Sequence, residues 1–483
     1  MLGYRIRVAV DKLGSKLFLH KMKILVAVVS LVVVAIVVNF AAPPVISAVQ
    51  HRIAVHRFNN LSNDDFLYDF NYLVRAMEEN WPFFNLSISA NDVDVHELAD
   101  SFRDILNDPS TDIDALEFLD TLRYHFMRHV GNLGHLRAEW RYETYFNLVQ
   151  GTRDWILAFL SGFSHVPERL ISDYRLYTRI QTVVFYEALR DAGGSRLITE
   201  GFDTGDTPSY ETAIIEEGNI AHLTINRMIE FWQDPGIRDG TSQFYMGHYE
   251  RILFDFYNDI EDFNHLIIDL RGNSGGPSTH FDVFVAGQIL HDVITLPAYV
   301  FYTTGAYSAQ ARETFFPFIV IYAYFVPPLA PAVIEEPLPY FNQENNFSHV
   351  FYSSYILFPW EAYDGWRASF TMRDRPGFDG KLWILTDGGT GSSAEAVAAI
   401  FKYNNLATVV GEPTFGIMGT IFEPFSIDIS LPNTGILIRM DIAYYTTFDG
   451  RSLQGYGIMP NYFNRPGMDA LETVLAMIEE GNY

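Results

Sequence analysis

The 483-residue chain contains no cysteine, which excludes disulfide bridges, thiol nucleophiles and cysteine-ligated metals together. It is also short of positive charge: 33 Lys and Arg stand against 59 Asp and Glu, a net charge of −26. A body this acidic repels phosphate backbones, so nucleic acid is not an expected partner. No Gly-Lys-Ser/Thr closes a phosphate loop and no dinucleotide-type spacing of glycines occurs, so no nucleotide cofactor is expected either. There is no internal repeat and no low-complexity tract, and no lysine follows Lys402.

What is present is a large apolar content, 48% hydrophobic and 15% aromatic residues, enough for two or three domains with real cores. The few cations are unevenly placed. Arg5, Arg7, Lys12, Lys16, Lys21 and Lys23 against Asp11 make residues 1–23 a basic leader, and the remainder keeps 27 basic against 58 acidic residues. Residues 24–42 follow without a charge and end at Pro43-Pro44. Nineteen such residues span a bilayer as a helix, and the flanking cations put the leader on the cytoplasmic side. The expectation is a single-pass membrane protein whose body is extracytoplasmic, with a cleaved secretory signal as the alternative.

Residues 67–79, 96–106 and 113–128 carry apolar side chains at three- and four-residue spacing, which predicts a helical N-terminal domain over 43–145. Residues 146–216 read as a linker or small module, with turn-rich 191–210 as the boundary. From residue 217 strands alternate with helices: strands over 219–226, 265–270, 382–386 and 407–410, helices over 242–258, 281–290 and 394–404. That alternation predicts an α/β layer with mainly parallel pairing over 217–483. An aromatic, proline-rich insert at 296–374 interrupts it, and its run 315–326 reads as a hydrophobic lid too short to span a membrane.

Two turns of this α/β region carry chemistry. Gly391-Ser392-Ser393-Ala394-Glu395 stands between a strand and a helix, where a serine hydroxyl meets the unpaired N–H groups of a helix N-terminus. By itself the pattern also describes a plain helix cap. Asp269-Leu270-Arg271-Gly272-Asn273-Ser274-Gly275-Gly276 runs from a buried strand into a glycine-rich turn, whose backbone N–H groups suit an oxyanion hole, with Gly275 and Gly276 as donors. His125 and His129 lie four apart on a predicted helix, but no nearby Glu and third ligand complete a zinc set, so no metal is expected.

These two motifs, followed by Val409-Val410-Gly411-Glu412-Pro413-Thr414-Phe415-Gly416 and by Gly455-Tyr456-Gly457-Ile458-Met459-Pro460-Asn461, resemble in order the tail-specific (C-terminal processing) serine peptidases over roughly residues 217–470. The resemblance implies a crotonase-like, stacked ββα peptidase core preceded by the helical domain and one transmembrane helix. It implies Ser392 as nucleophile and Ser393 as a neighbour whose N–H helps form the oxyanion hole. Best-known members pair the serine with a lysine that maps to Ile417 here, and isoleucine accepts no proton. The chain is therefore more similar to the histidine-using tricorn-like and retinoid-binding-like branch. Val130-Gly131-Asn132-Leu133-Gly134-His135-Leu136 resembles the histidine segment of that branch, which makes His135 the candidate general base.

The branch's glutamate maps to Gln454, the candidate third member of the triad, with Glu412, Asp387 and Glu395 as alternatives. The function expected is an extracytoplasmic serine endopeptidase acting on peptides or proteins through Ser–His acyl transfer. The alternative is a catalytically degenerate relative that binds a peptide or lipophilic ligand.

Overall fold

The computed structural model describes residues 48–483 apart from 86, 89–91, 131–132, 143, 151, 154–174, 193–206, 230–246, 311–329, 332–346, 361–376, 419–425, 447–451, 453 and 482. The basic leader, the apolar run 24–42 and the run 315–326 lie outside the described residues. Among the described residues no helix is long and apolar enough to cross a membrane.

After α1 (Ala48–Phe58), which the apolar spacing does not announce, helices α2 (Asn63–Asn80), α3 (Val95–Asn107) and α4 (Ala115–Leu122) form where that spacing predicts them. The last continues through one π-turn, Arg123–Met127, to Val130. Their starts are set by side-chain caps. Ser62 and Asp65 exchange bonds at α2, Asp114 and Glu117 do so at α4, and Asp94 accepts from His96 and Glu97 N–H at α3, each worth about 1 kcal/mol. Phe66, Phe70, Phe102, Phe118 and Phe126 are fully buried between these helices, with Phe66 stacked on Phe118 at 4.9 Å.

The α/β region is built on a six-stranded sheet whose strands lie, from edge to edge, at 462–463, 407–411, 381–386, 265–269, 220–225 and 210–216. The strands are β2 (Tyr210–Glu216), β3 (Ile220–Ile225), β4 (His265–Asp269), β8 (Lys381–Thr386), β9 (Ala407–Gly411) and β13 (Tyr462–Phe463). All pair in parallel except β2. The central strands are apolar on both faces because both are covered. Ile267, Trp383, Leu385 and Val410 pack against α9 (Ala470–Glu480), and Leu266, Ile268, Ile384 and Val409 join the larger core with α6 (His248–Asp259) and α8 (Ser393–Tyr403).

The insert contributes strands of its own, outside the parallel sheet. Its ends pair as β5 (Ile294–Thr303) and β7 (Phe347–Leu357) over ten register partners, and with β6 (Ala330–Pro331) and β12 (Ala443–Thr446) they make an antiparallel four-stranded sheet. Alternating aromatic and β-branched residues are strand formers whatever the proline content around them. Within the stretch 146–216, read from sequence as a linker or small module, α5 (Ile180–Asp191) forms.

A third sheet joins the two halves of the chain. β1 (Arg137–Ala138) pairs antiparallel with β11 (Leu437–Asp441), which pairs with β10 (Ser426–Ser430). Ile429, Ile436, Ile438 and Met440 enter the same core as the N-terminal helices and α5. Buried Asp69 of α2 accepts from Asn433 N–H, Thr434 N–H and the Thr434 hydroxyl, each at 2.8 Å, and so binds the β10–β11 turn to the helices. Burial pushes its carboxyl above the ordinary range against the pull of those three bonds.

Candidate active site

The parallel sheet supports two turns that lock into each other. After β4, Asn273 is fully buried. Its amide nitrogen donates to Ile225 O at 2.8 Å, its side-chain oxygen accepts from Gly275 N–H at 2.9 Å, and its carbonyl accepts from Gly391 N–H at 2.8 Å. After β8, Asp387 accepts from Gly272 and Gly389 N–H, both at 2.9 Å, and the Thr390 hydroxyl donates to Leu270 O at 2.8 Å. Asp387 is thus a staple between the turns.

Ser392 sits at the tip with φ 54° and ψ −120°, a conformation strained for a residue with a side chain and known from sharp strand-to-helix nucleophile turns. The surroundings hold it there. A Cβ on Gly275 would stand 2.6 Å from Ser392 Cβ and 2.7 Å from Gly391 O, and one on Gly276 would stand 2.7 Å from Met228 O. Only glycines, at φ 95° and 123°, let the two turns approach this closely. The Ser393 hydroxyl donates to Gly276 O at 2.6 Å.

Of the three expected oxyanion donors, Gly275 N–H is committed to Asn273, whereas no described residue accepts from Gly276 N–H or from Ser393 N–H at the first turn of α8.

Glu395, fully buried, accepts from Ser392 N–H (2.9 Å), the Thr414 hydroxyl (2.5 Å), Gly416 N–H (2.6 Å) and Ile417 N–H (2.8 Å). Burial raises its pKa, and the bonds from Thr414, Gly416, Ile417 and Ser392 oppose that rise. It fastens the serine turn to the segment after β9. Ile417 lies against Gly391, its Cδ1 3.4 Å from where a Cβ would stand.

At the root of the glycine turn Asp269 pairs with Arg271, with a shortest contact of 2.6 Å, and with His222 Nε2 at 3.3 Å, while Arg271 also reaches Asp469 at the start of α9. Burial alone would raise the Asp269 pKa, but the bonds from His222 and Arg271 and the Arg271 charge bring it down to about 2.

His135 arrives with the third sheet. β1 and β11 match Arg137 with Arg439; His135 stands in the turn two residues before Arg137, and Asp441 ends β11 two residues after Arg439. The side chains of His135 and Asp441 meet, Nδ1 to Oδ2, at 2.9 Å, with the Asp441 side chain fully buried and His135 18% exposed. Gly134, at φ 59°, makes the preceding turn, and any Cβ there would press on Trp81 Nε1 and the Phe83 ring at 3.0 Å.

The orienting partner of His135 is therefore Asp441, which sequence reasoning missed. Gln454 is buried beside Gly455, whose N–H bonds Gly416 O, but its own amide atoms have no hydrogen-bond partner among the described residues. Glu412 donates its N–H to Thr386 O and offers its carbonyl to the Thr386 hydroxyl. His125 and His129 are exposed on the π-turn and its continuation. The signal for Asp441 was weak. It is a lone acidic residue in an apolar strand, 306 positions from its histidine.

The chain belongs to peptidase family S41, whose model matches residues 219–463. It is 34% identical over 97 residues to the carboxyl-terminal-processing protease of Synechocystis sp. (strain ATCC 27184 / PCC 6803 / Kazusa), a match covering 20% of this chain and 21% of that protein. The chain thus spans about a fifth of the length of that curated relative. Among solved structures it resembles mature CPAF complexed with lactacystin (11% identity, 87% of this chain and 98% of that one, TM-score 0.47). It also resembles the photosystem II D1 C-terminal processing protease (15% identity, 53% and 45%, TM-score 0.28). The matched residues span the parallel sheet and both turns of a mixed α/β fold preceded by a helical region.

Proposed function

We propose that the protein hydrolyses peptide bonds by a Ser392–His135–Asp441 acyl-transfer mechanism, in an extracytoplasmic body anchored by residues 24–42. The observation that carries this reading is the 2.9 Å bond between His135 Nδ1 and buried Asp441. An ionised carboxylate accepts only, so Nδ1 carries the proton and Nε2 is the basic nitrogen. His135 Nε2 takes the Ser392 proton as Oγ attacks the carbonyl, then returns it to the leaving amine, while Asp441 stabilises the imidazolium. The N–H groups of Gly276 and Ser393 hold the developing oxyanion. Water then repeats the sequence on the acyl-enzyme. The antiparallel four-stranded sheet stacked through α8 on the parallel one is read as the crotonase-like layering.

A fluorophosphonate probe tests the mechanism on the full chain. Labelling is expected in the native protein, absent in Ser392→Ala and slowed in His135→Ala. A folded protein that never labels, or a His135→Ala variant labelling at the native rate, overturns it.

A further inference from the structure

In so acidic a chain one stretch has no acid at all. None occurs between Asp11 and Asp64, and α1 lies within that stretch, bearing Arg52 and Arg57. The two faces of α1 differ. His51, Ala54, Val55 and Phe58 are half-buried. His51 Nε2 meets Glu187 of α5 at 2.7 Å, and the Phe58 ring stands edge-on to Phe185 with centroids 6.1 Å apart. Arg57 donates from Nη2 to Asn433 Oδ1 at the β10–β11 turn, at 2.8 Å. These contacts fix the helix to the body.

The opposite face carries Val49, Arg52, Ile53 and His56, at the three- and four-residue spacing that keeps side chains on one side of a helix. Val49 and Ile53 are 65% and 63% exposed, more than any other large apolar residue described, and Arg52 makes no ion pair among the described residues. Two exposed aliphatic side chains beside an arginine, with no acid near in sequence, fit the boundary between phospholipid headgroups and acyl chains. The apolar groups enter it and the guanidinium meets phosphate.

The face is about two turns long and one helix wide, far short of the roughly 1,000 Å² that a specific protein interface needs. A surface tethered nearby needs no such area, because the tether keeps its effective concentration high. If residues 24–42 cross the bilayer as proposed above, only residues 43–47 separate Ala42 from Ala48, a reach of at most about 20 Å. We propose that the outer face of α1 docks on an anionic phospholipid surface, with Val49 and Ile53 at the tops of the acyl chains and Arg52 on lipid phosphate. The inference rests on the anchored body proposed above. Because α1 is fixed to α5 and to the β10–β11 turn, docking holds the body, and with it the sheet that carries Asp441, in one orientation over the membrane.

The absence of cysteine supplies the test. The full chain as His56→Cys, labelled with an environment-sensitive fluorophore, is reconstituted into vesicles of phosphatidylcholine, or of phosphatidylcholine and phosphatidylglycerol in equal parts, each with a nitroxide-bearing lipid. Phe463→Cys, at a site 61% exposed on β13, is the control. Quenching is expected at position 56 in the anionic vesicles, weak at 56 in the neutral ones and absent at 463. Adding Arg52→Glu and Ile53→Ser is expected to lower the quenched fraction about tenfold, with the melting temperature unchanged because both side chains are exposed. Quenching equal at 56 and 463, equal in both lipids, or surviving the double substitution overturns the docking. So does a blue shift at 56 without quenching, which marks a second copy of the chain covering α1. Retention on the vesicles after an alkaline carbonate wash is read separately and tests the anchor. Retention without quenching leaves the anchor and sinks the docking, whereas quenching without retention does the reverse.

Discussion

The serine and the histidine are held in opposite ways. Ser392 stands in a mesh of backbone bonds between neighbouring turns of one sheet, where Asn273, Asp387, Thr390 and Glu395 each tie at least two segments. His135 sits in the turn before a strand of two residues, which pairs with a strand some 300 positions away, and its ring bonds the side chain of Asp441. The difference teaches that a strained conformation needs redundant support, while a base needs only its ring plane and tautomer set. Damage to the first region should disturb structure and activity together, and damage to the second should remove activity from an intact fold.

The largest effect expected is at the second region. Asp441→Asn replaces the obligate acceptor with a group that also donates, and a fall in kcat of about ten-thousandfold is expected with little change in KM or melting temperature. Gln454→Ala, by contrast, should leave kcat within about tenfold. If Gln454→Ala proves the more damaging, the assignment of Asp441 fails. In the first region Gly275→Ala forces a methyl into contact with Ser392 and Gly391. A loss of activity of at least a hundredfold together with about 3 kcal/mol of stability is expected, read by peptide hydrolysis and urea unfolding. Full stability in that variant would show that the turns are not locked.

Between the two regions, Asp69→Ala strands three donors at the β10–β11 turn. Roughly 3 kcal/mol of stability should be lost, and activity should fall more steeply with temperature than in the native chain as β11 loosens. The smallest effect concerns Asp269. Its folded pKa, about 2, lies below the unfolded value of about 3.9, so its contribution is present above pH 4 and lost as pH falls through 2. The size is about 2 kcal/mol. Asp269→Asn should flatten the drop in melting temperature between pH 5 and pH 2.5, and an unchanged acid profile would contradict the pairing.

The same contrast explains what was legible in the sequence. The serine turn, the glycine turn and the helices before and after them are written in contiguous residues, so period and punctuation suffice to find them. The helix over 394–404 and the strand over 265–270 appear within one residue of their expected ends. Asp441 and the wall formed by β5 and β7 are products of distant pairing, and no local pattern announces them. Gln454 is singled out by the motif of its segment, whereas the acceptor that meets His135 comes from a strand paired over a distance of some 300 residues. Asn273 stands within its motif, but its role lies in bonds to two distant segments, at Ile225 and Gly391, that no local pattern shows.

The pairing of β1 with β11 also sets an order of events. The chain is made from its N-terminus, so His135 exists for some three hundred residues of synthesis before Asp441 does. A chain made only as far as residue 440 carries the serine turn and the histidine without the contact that, on the proposed mechanism, gives the histidine its tautomer. Asp441 is the last member of the proposed triad to be made, so the histidine gains its tautomer only after the serine turn is already in place.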